Sequence, residues 1–195
     1  MITLTNLTGT GRALFSDDRR YRYLLERRWS DATPMGFVAL NASTADHERD
    51  DPTVTRMVNF AKRHGAGGLL LSNLSPLVAT DPRELYAELV KWPDGRTVFP
   101  TACNQFVVED CAERCWRVVA AFGSYAGAPP AARRALDGQV RVLTAALAQR
   151  VIPWWCLDTT AGGYPRHPLY LPGNASLQLW RGLPADVHTE PRTAP

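Results

Sequence analysis

The sequence predicts an α/β fold, a three-layer α/β/α sandwich around a short, mostly parallel sheet of four strands. The main observation is a unit that occurs twice in succession, in which an apolar strand ends in Asn and is followed by a polar loop and a capped helix. Two more apolar strands follow, with a long helical stretch between them. Strands that alternate with helices form parallel sheets through right-handed crossovers.

The N-terminal part has a less definite pattern. Residues 1–15 are rich in Thr and Gly and are predicted to form an edge strand or a hairpin. Residues 19–29 mix Arg with aromatic residues and are predicted to be a strand or a short helix. This mixture resembles a nucleic-acid-binding surface, but a half-buried, solvated element is the favoured interpretation.

The first unit begins with a buried strand over residues 37–40, which ends at Asn41. A polar loop leads into a predicted helix. Asp51 is suited to the N-cap, Pro52 to the first turn, and Gly65 to the left-handed stop. These three signals fix the helix limits.

The second unit repeats this order. A buried strand over residues 67–73 ends at Asn73, and residues 74–80 are predicted to form a loop. Asp81 and Glu84 then form a capping box, with Pro82 in the first helical position.

The rest of the chain is predicted to contain a helix at residues 104–116, a strand at 117–122, a helix at 131–150, a strand at 151–157, a Gly/Pro-rich segment at 158–172 and a disordered tail at 183–195. Residues 1–182 are predicted to form a single domain, because a chain of this size can bury a substantial core. A long irregular segment inside a compact domain is usually functional.

Composition narrows the function classes. No apolar run is long enough for a membrane span, and the N-terminus has no signal-peptide pattern, so we expect a cytoplasmic protein. The four cysteines show no C-x-x-C spacing, which favours reduced, mostly buried thiols and predicts neither a metal site nor a cofactor. The net charge is +3, and nearly all basic residues are Arg. This composition permits nucleic-acid binding, but a G+C-rich genome would produce it as well.

Three polar loops are expected at one edge of the sheet, because ligands of open α/β sheets bind beyond the carboxyl ends of the strands. They begin at Asn41 and Asn73 and include the segment from Arg166 to Tyr170. Their amides, carboxylates and one His can orient a water and bind the polar edge of a planar ligand. The sequence contains no nucleophile elbow, phosphate-binding loop or dinucleotide fingerprint, which disfavours covalent catalysis by Ser or Cys.

Several motifs resemble a bacterial and phage family catalogued as domain of unknown function 1643. The similar segments cover roughly residues 19–180, and they are Asn41-Ala-Ser-Thr-Ala-Asp46, Asp51-Pro-Thr53, Asn73-Leu74, Ala79-Thr-Asp-Pro82 and Pro165-Arg-His-Pro-Leu-Tyr170. The sequence departs from the usual first motif at Ala42, where the family has Pro, and the segment around Asn104 is poorly matched.

Four segments also resemble, more distantly, the uracil-DNA glycosylase superfamily: residues 40–43, 69–73, 119–126 and 167–171. The resemblance implies a fold of the uracil-DNA-glycosylase type and a binding site for a nucleobase. Asn41 and Asp46 would handle the attacking water, and Asn73 would read the base edge. His167 would stabilise the leaving base. The substrate would also contact Ser43, Thr44, Asp51, Ser124, Arg166, Leu169 and Tyr170.

The leading hypothesis is an enzyme that hydrolyses or otherwise processes the N-glycosidic bond of a modified nucleobase, in DNA or as a nucleoside. In duplex DNA, Tyr170 or Leu171 would act as the wedge. Asn41 is a poor general base, so a carboxylate must assist it. One alternative is a binding module for nucleic acid or nucleotides without catalysis. Another places a divalent metal on Asp46, His47, Asp50 and Asp51.

Overall fold

The computed structural model describes residues 1–91 and 101–184. Its helices and strands are, in chain order, β1 (Ile2–Thr5), β2 (Gly11–Phe15), β3 (Arg22–Arg28), β4 (Met35–Ala42), α1 (Pro52–Arg63), β5 (Gly68–Val78), α2 (Pro82–Lys91), α3 (Thr101–Glu113), β6 (Val118–Ala120), α4 (Pro130–Gln149), β7 (Trp154–Cys156) and β8 (Gln178–Leu179), with a 3₁₀ turn over Pro168–Tyr170 before β8. The predicted tail at residues 183–195 lies outside the described residues except for its first two positions.

The strands form one eight-stranded sheet in the order β1-β2-β3-β5-β4-β6-β7-β8. The four strands expected from the sequence are its parallel centre, β5-β4-β6-β7. The prediction of a four-stranded sheet is wrong, because strands at both edges extend it. β1 to β3 form an antiparallel meander that pairs with β5, and β8 pairs antiparallel with β7. The protein is therefore a mixed α/β domain.

Helices cover both faces of the sheet. On one face, α1 buries Met57 and Phe60 against Phe37 of β4. On the other face, α2, α3 and α4 pack against side chains such as Val38, the next residue along β4. Successive side chains of a strand point to opposite faces, which explains how neighbouring residues of β4 belong to two separate cores. The layers are therefore helix, sheet and helix.

The residues at both ends of α1 have the roles predicted from the sequence. The Asp51 carboxylate accepts a hydrogen bond from the Val54 backbone N–H at 2.7 Å, and Pro52 is the first helical residue. The Gly65 backbone has a φ of +77°, the left-handed conformation that glycine adopts without steric cost. In the second unit the Asp81 backbone N–H donates to Glu84 Oε1 at 3.4 Å, which is one half of the capping box.

The predicted loop over residues 74–80 is mostly strand, because β5 continues to Val78. The pairing of β4 with β5 slips at this point: Asn41 lies opposite Ser75, whereas the next residue, Ala42, lies opposite Val78. Pro76 lies between these two partners. A proline has no N–H to donate to a ladder, so bulges are where sheets accommodate it.

No helix in residues 1–91 and 101–184 is both long and apolar enough to cross a lipid bilayer. Cys111, Cys115 and Cys156 are free, and Cys111 and Cys156 are buried. Burial raises the pKa of the Cys115 thiol to about 12. The side chain of Cys103 lies outside the described residues.

A pair of buried tyrosines provides a test of this core. The Tyr125 hydroxyl donates to the buried Asp137 carboxylate at 2.7 Å, whereas the buried Tyr164 hydroxyl has no partner among the described residues. The two rings pack edge to face, with centroids 4.9 Å apart. We expect Tyr125→Phe to lower the free energy of unfolding by about 2 kcal/mol, because it removes a hydrogen bond to a charged group.

Tyr164→Phe is the matched control, since it removes a hydroxyl without a described partner and should leave the stability unchanged or slightly higher. Urea denaturation of the wild type and both variants measures the difference. Equal destabilisation by the two substitutions would contradict the assignment.

Candidate functional site

A cavity of about 630 Å³ lies at the carboxyl edge of the parallel strands. Its wall comes from the ends of β4 and β5, the start of α1, the turn after β6 and the segment around the 3₁₀ turn. Most residues predicted for the site line this one cavity: Asn41, Ser43, Asp51, Asn73, Ser124, Arg166, His167, Leu169 and Tyr170.

Asn41 and Asn73 lie on adjacent parallel strands and face the same side of the sheet. Asn73 of β5 is opposite Ala39 of β4, and Asn41 lies two residues further along. Phe37, Ala39 and Leu71 belong to the core beneath α1. Because strand side chains alternate with a period of two, both amides continue this face beyond the apolar core and reach the cavity.

The Asn73 side chain is buried with its hydrogen-bonding capacity unused. Only 1% of the residue is exposed, and neither Nδ2 nor Oδ1 has a partner among the described residues. Its backbone carbonyl is held by Nδ2 of Asn104, at 3.1 Å. A buried, unpaired polar group costs about 1–3 kcal/mol. Asn73 therefore offers one donor and one acceptor that a ligand can satisfy together.

Asn41 uses its donors within the protein. Its Nδ2 donates to the backbone oxygens of Ala42, at 3.0 Å, and Ala79, at 2.7 Å. These bonds fix the orientation of the amide across the β4–β5 register break. The acceptor Oδ1 is then the atom with which Asn41 can orient a water or a ligand hydroxyl.

His167 is the N-cap of the 3₁₀ turn, and its Nδ1 accepts a hydrogen bond from the Leu169 backbone N–H at 3.3 Å. An accepting nitrogen carries no proton, so the neutral ring has its hydrogen on Nε2. Burial lowers the pKa of His167 below its ordinary value of 6.5, and the negative charge of Asp51 opposes part of this shift. At neutral pH the ring is an uncharged donor.

Gly123 lets His167 approach the turn after β6. A Cβ atom at position 123 would lie 3.2 Å from the His167 Cβ, and the backbone φ of +71° also favours glycine.

Asp51 completes this part of the site. One of its carboxylate oxygens caps α1, and the other remains for a water or ligand at the cavity wall.

The remaining lining residues predicted from the sequence are more exposed. Arg166 forms an ion pair with Asp158 at 3.1 Å. Ser124 Oγ accepts a hydrogen bond from the Ala126 backbone N–H at 3.3 Å. Tyr170 is 75% exposed, and its ring contacts that of His167 with centroids 5.7 Å apart. These side chains border the opening of the cavity.

Two predicted residues, Thr44 and Asp46, do not line the cavity. Asp46 Oδ1 instead accepts hydrogen bonds from the backbone N–H groups of Glu48 and Arg49, both at 2.8 Å. Partial burial raises the pKa of Asp46, but these hydrogen bonds together with the charges of His47 and Arg49 lower it, so the net pKa lies below the ordinary value. This carboxylate holds a turn together, which is a common use of Asp in loops.

The residues proposed for a divalent metal do not converge. Among the residues that the structure describes, no group of three or more His, Cys, Asp or Glu side chains is arranged to hold a metal ion. Asp50 forms an ion pair with Arg27 at 2.7 Å, and Asp46 and Asp51 accept hydrogen bonds from backbone N–H groups.

The lining residues that were not predicted as site residues include Arg22, Tyr86 and Phe122. Arg22 is 1% exposed, and its Nη1 donates to the carbonyl oxygens of Ser43, at 3.4 Å, and Ala45. Its position in an Arg-rich segment gave no sign of burial. Phe122 ends a predicted strand, and its ring packs edge to face on that of Trp180.

The electrostatics of the site lead to a direct test by NMR titration. We expect His167 to titrate below pH 6.5 and Asp51→Asn to lower the midpoint further, because loss of the nearby negative charge destabilises the imidazolium form. Asn is also a good N-cap residue, so α1 should remain intact.

Asp50→Asn is the matched control for this titration, since Asp50 is paired with Arg27. It should leave the His167 midpoint unchanged. A wild-type midpoint above 6.5, or a midpoint raised by Asp51→Asn, would contradict the proposed arrangement.

Comparison with known proteins identifies a family without an assigned activity. No curated protein and no solved structure matches the chain significantly. Residues 22–169 match the family described as "Protein of unknown function (DUF1643)", and this range contains every predicted site residue except Tyr170. Because the match spans most of the sequence, the chain belongs to the DUF1643 family.

Proposed function

We propose that the cavity binds a planar nucleobase and that the protein hydrolyses the N-glycosidic bond of a modified base, in DNA or in a nucleoside. The observation that carries this proposal is the buried, unpaired amide of Asn73 at the cavity wall. An imide or amide edge of a heterocycle presents the complementary acceptor and donor side by side. Binding such a ligand relieves the cost of the two unpaired atoms.

The other walls suit the same ligand. Two aromatic residues, Tyr86 and Phe122, are among the lining residues, and the cavity volume of about 630 Å³ is in the usual range for small-molecule sites. The four segments that resemble the uracil-DNA glycosylase superfamily contribute Asn41, Asn73, Ser124 and His167 to this single cavity. Their convergence supports a nucleobase site.

His167 has the properties required of a leaving-group stabiliser. In the reaction the bond between sugar carbon and base nitrogen breaks with both electrons remaining on the base. A neutral imidazole whose Nε2 carries the hydrogen can donate to the oxygen on which this negative charge accumulates. A donor fixed in advance stabilises developing charge without reorganising.

In this proposal, Asn41 and Asp51 both act on the attacking water. Asn41 Oδ1 orients the water, whose oxygen bonds to the sugar carbon, and the free oxygen of Asp51 accepts its proton. Asp51 takes the place of Asp46, which does not line the cavity. The proton finally passes to the departed base or to solvent.

The second candidate is a binding module that recognises a nucleobase without cleaving the bond. The roles of Asn41 and Asp51 in the fold favour it. The amide of Asn41 bridges two strands, and the carboxylate of Asp51 caps α1. Both side chains therefore have a structural reason to be present without catalysis.

Product analysis tests the enzyme proposal. Purified protein is incubated with modified-base oligonucleotides, single- and double-stranded, and with the matching nucleosides, and free base and abasic sites are measured. We expect base release that persists in EDTA. His167→Ala should reduce it by roughly 100-fold or more, the usual effect of losing one donor to a developing anion. Asn41→Ala should reduce it as well.

Two controls lie on α1 or at its end, outside the cavity. His64→Gln alters the C-cap residue of α1, and Asn59→Ala alters an exposed residue of that helix. Both should release base at the wild-type rate. Absence of product together with cavity-dependent binding would establish the binding module instead. Loss of activity in EDTA would contradict the metal-free mechanism.

Asn73→Leu separates the ligand role of this residue from a structural one. Leu is of similar size and has no polar atoms, so replacing the unpaired amide should raise the free energy of unfolding by about 1 kcal/mol. The same substitution should abolish binding of nucleobases, measured by calorimetry. A variant that is less stable than the wild type, or that binds equally well, would contradict the assignment of Asn73.

A further inference from the structure

Arg22 is a buried cation at the wall of the same cavity. The residue is 1% exposed, and its position at the start of β3 places it beneath the loop that follows β4. Its Nη1 donates hydrogen bonds to the carbonyl oxygens of Ser43 and Ala45. Nε is buried and has no partner among the described residues.

The charge of this guanidinium is not neutralised by contact. Among the described residues, no carboxylate forms an ion pair with Arg22, whereas the buried Glu26 and the half-buried Arg27 each have such a partner. Burial lowers the pKa of Arg22 to about 10, whereas the charges of Asp51 and Asp46 raise it and that of Arg27 lowers it. Removing a charged group from water without a paired counter-charge is costly.

The sheet places Arg22 on the strand next to that of Asn73. β3 is antiparallel to β5, with Leu25 opposite Leu71, and Tyr21 forms a bridge to Leu77. Arg22 lies between these two pairs and is therefore level with the part of β5 that follows Asn73. The two side chains belong to neighbouring strands and line one cavity.

From this juxtaposition we infer that the ligand carries a negative charge on its buried edge and that Arg22 supplies the counter-charge. The inference rests on the proposed function, because Asn73 must read that same edge. The ligand class is a planar heterocycle with an oxyanion on the ring, which is also the form in which a base departs when its glycosidic bond breaks. Hydrogen bonds to charged groups are roughly twice as strong as neutral ones.

Paired ligands of similar shape test this inference by calorimetry at neutral pH. The pyrimidine pair is uracil, which is neutral at this pH, and barbiturate, which is anionic. The purine pair is hypoxanthine, which is neutral, and urate, which is anionic. We expect the anionic member of at least one pair to bind the wild type roughly 10- to 100-fold more tightly, the range expected for one charged hydrogen bond. Using a pyrimidine pair and a purine pair covers both ring sizes.

Arg22→Met should remove this preference, and Arg22→Lys should keep part of it because the charge remains. Arg56→Met is the matched control. Arg56 is also partly buried with an unpaired Nε, and it also donates to a backbone carbonyl, that of Leu171, but it does not line this cavity. The control should retain the full preference for the anion. Circular dichroism of each variant establishes that it is folded.

Equal binding of neutral and anionic ligands by the wild type would overturn the inference, as would a preference that survives in folded Arg22→Met. Absence of binding by all four ligands would overturn it too. If Arg22→Met does not fold, the comparison of the wild type with Arg22→Lys decides, and a preference that Arg22→Lys retains in full contradicts the role of Arg22. Base release without a preference for the anion leaves the proposed function in place and rejects only this inference.

Discussion

The parallel pairing of β4 with β5 is the constraint on which the rest of the site depends. The two strands continue past the apolar core, so their alternation carries Asn41 and Asn73 onto the same face. The register slips where Pro76 interrupts the ladder, and the Asn41 amide bridges the gap by donating to Ala42 and Ala79. At this break in the regular pairing, Asn41 and Asn73 form a polar wall of the cavity at the end of the sheet.

This polar wall lowers the stability of the fold. Asn73 is buried with both polar atoms unpaired, and the Nε of Arg22 is buried without a described partner. Such groups are compatible with a folded protein because the two helix–sheet cores bury many apolar side chains. Asn73 and Arg22 also line the cavity, so a ligand or an ordered water there can satisfy their unpaired atoms.

Asp51 links the structural and the electrostatic parts of the site. It caps α1 with one oxygen, and its charge favours the protonated forms of both His167 and Arg22. The protonation states of His167 and Arg22 at neutral pH differ because the ordinary pKa values of imidazole and guanidinium groups differ. Burial leaves His167 neutral near pH 7, whereas Arg22 remains charged. One carboxylate therefore faces a neutral donor and a cation, a combination suited to a ligand on which negative charge develops.

The sequence by itself determined the four central strands, the capped helices and nine of the residues that line the cavity, because apolar runs, Pro, Gly and Asp act over a few neighbouring positions. Only the tertiary structure decided that the sheet has eight strands and that β5 continues through residues 74–78, since strand pairing is a contact between distant segments. It also decided that Asp46 holds a turn while Arg22 lines the cavity. Burial of a charged side chain depends on what the rest of the chain packs around it, and local sequence does not encode that.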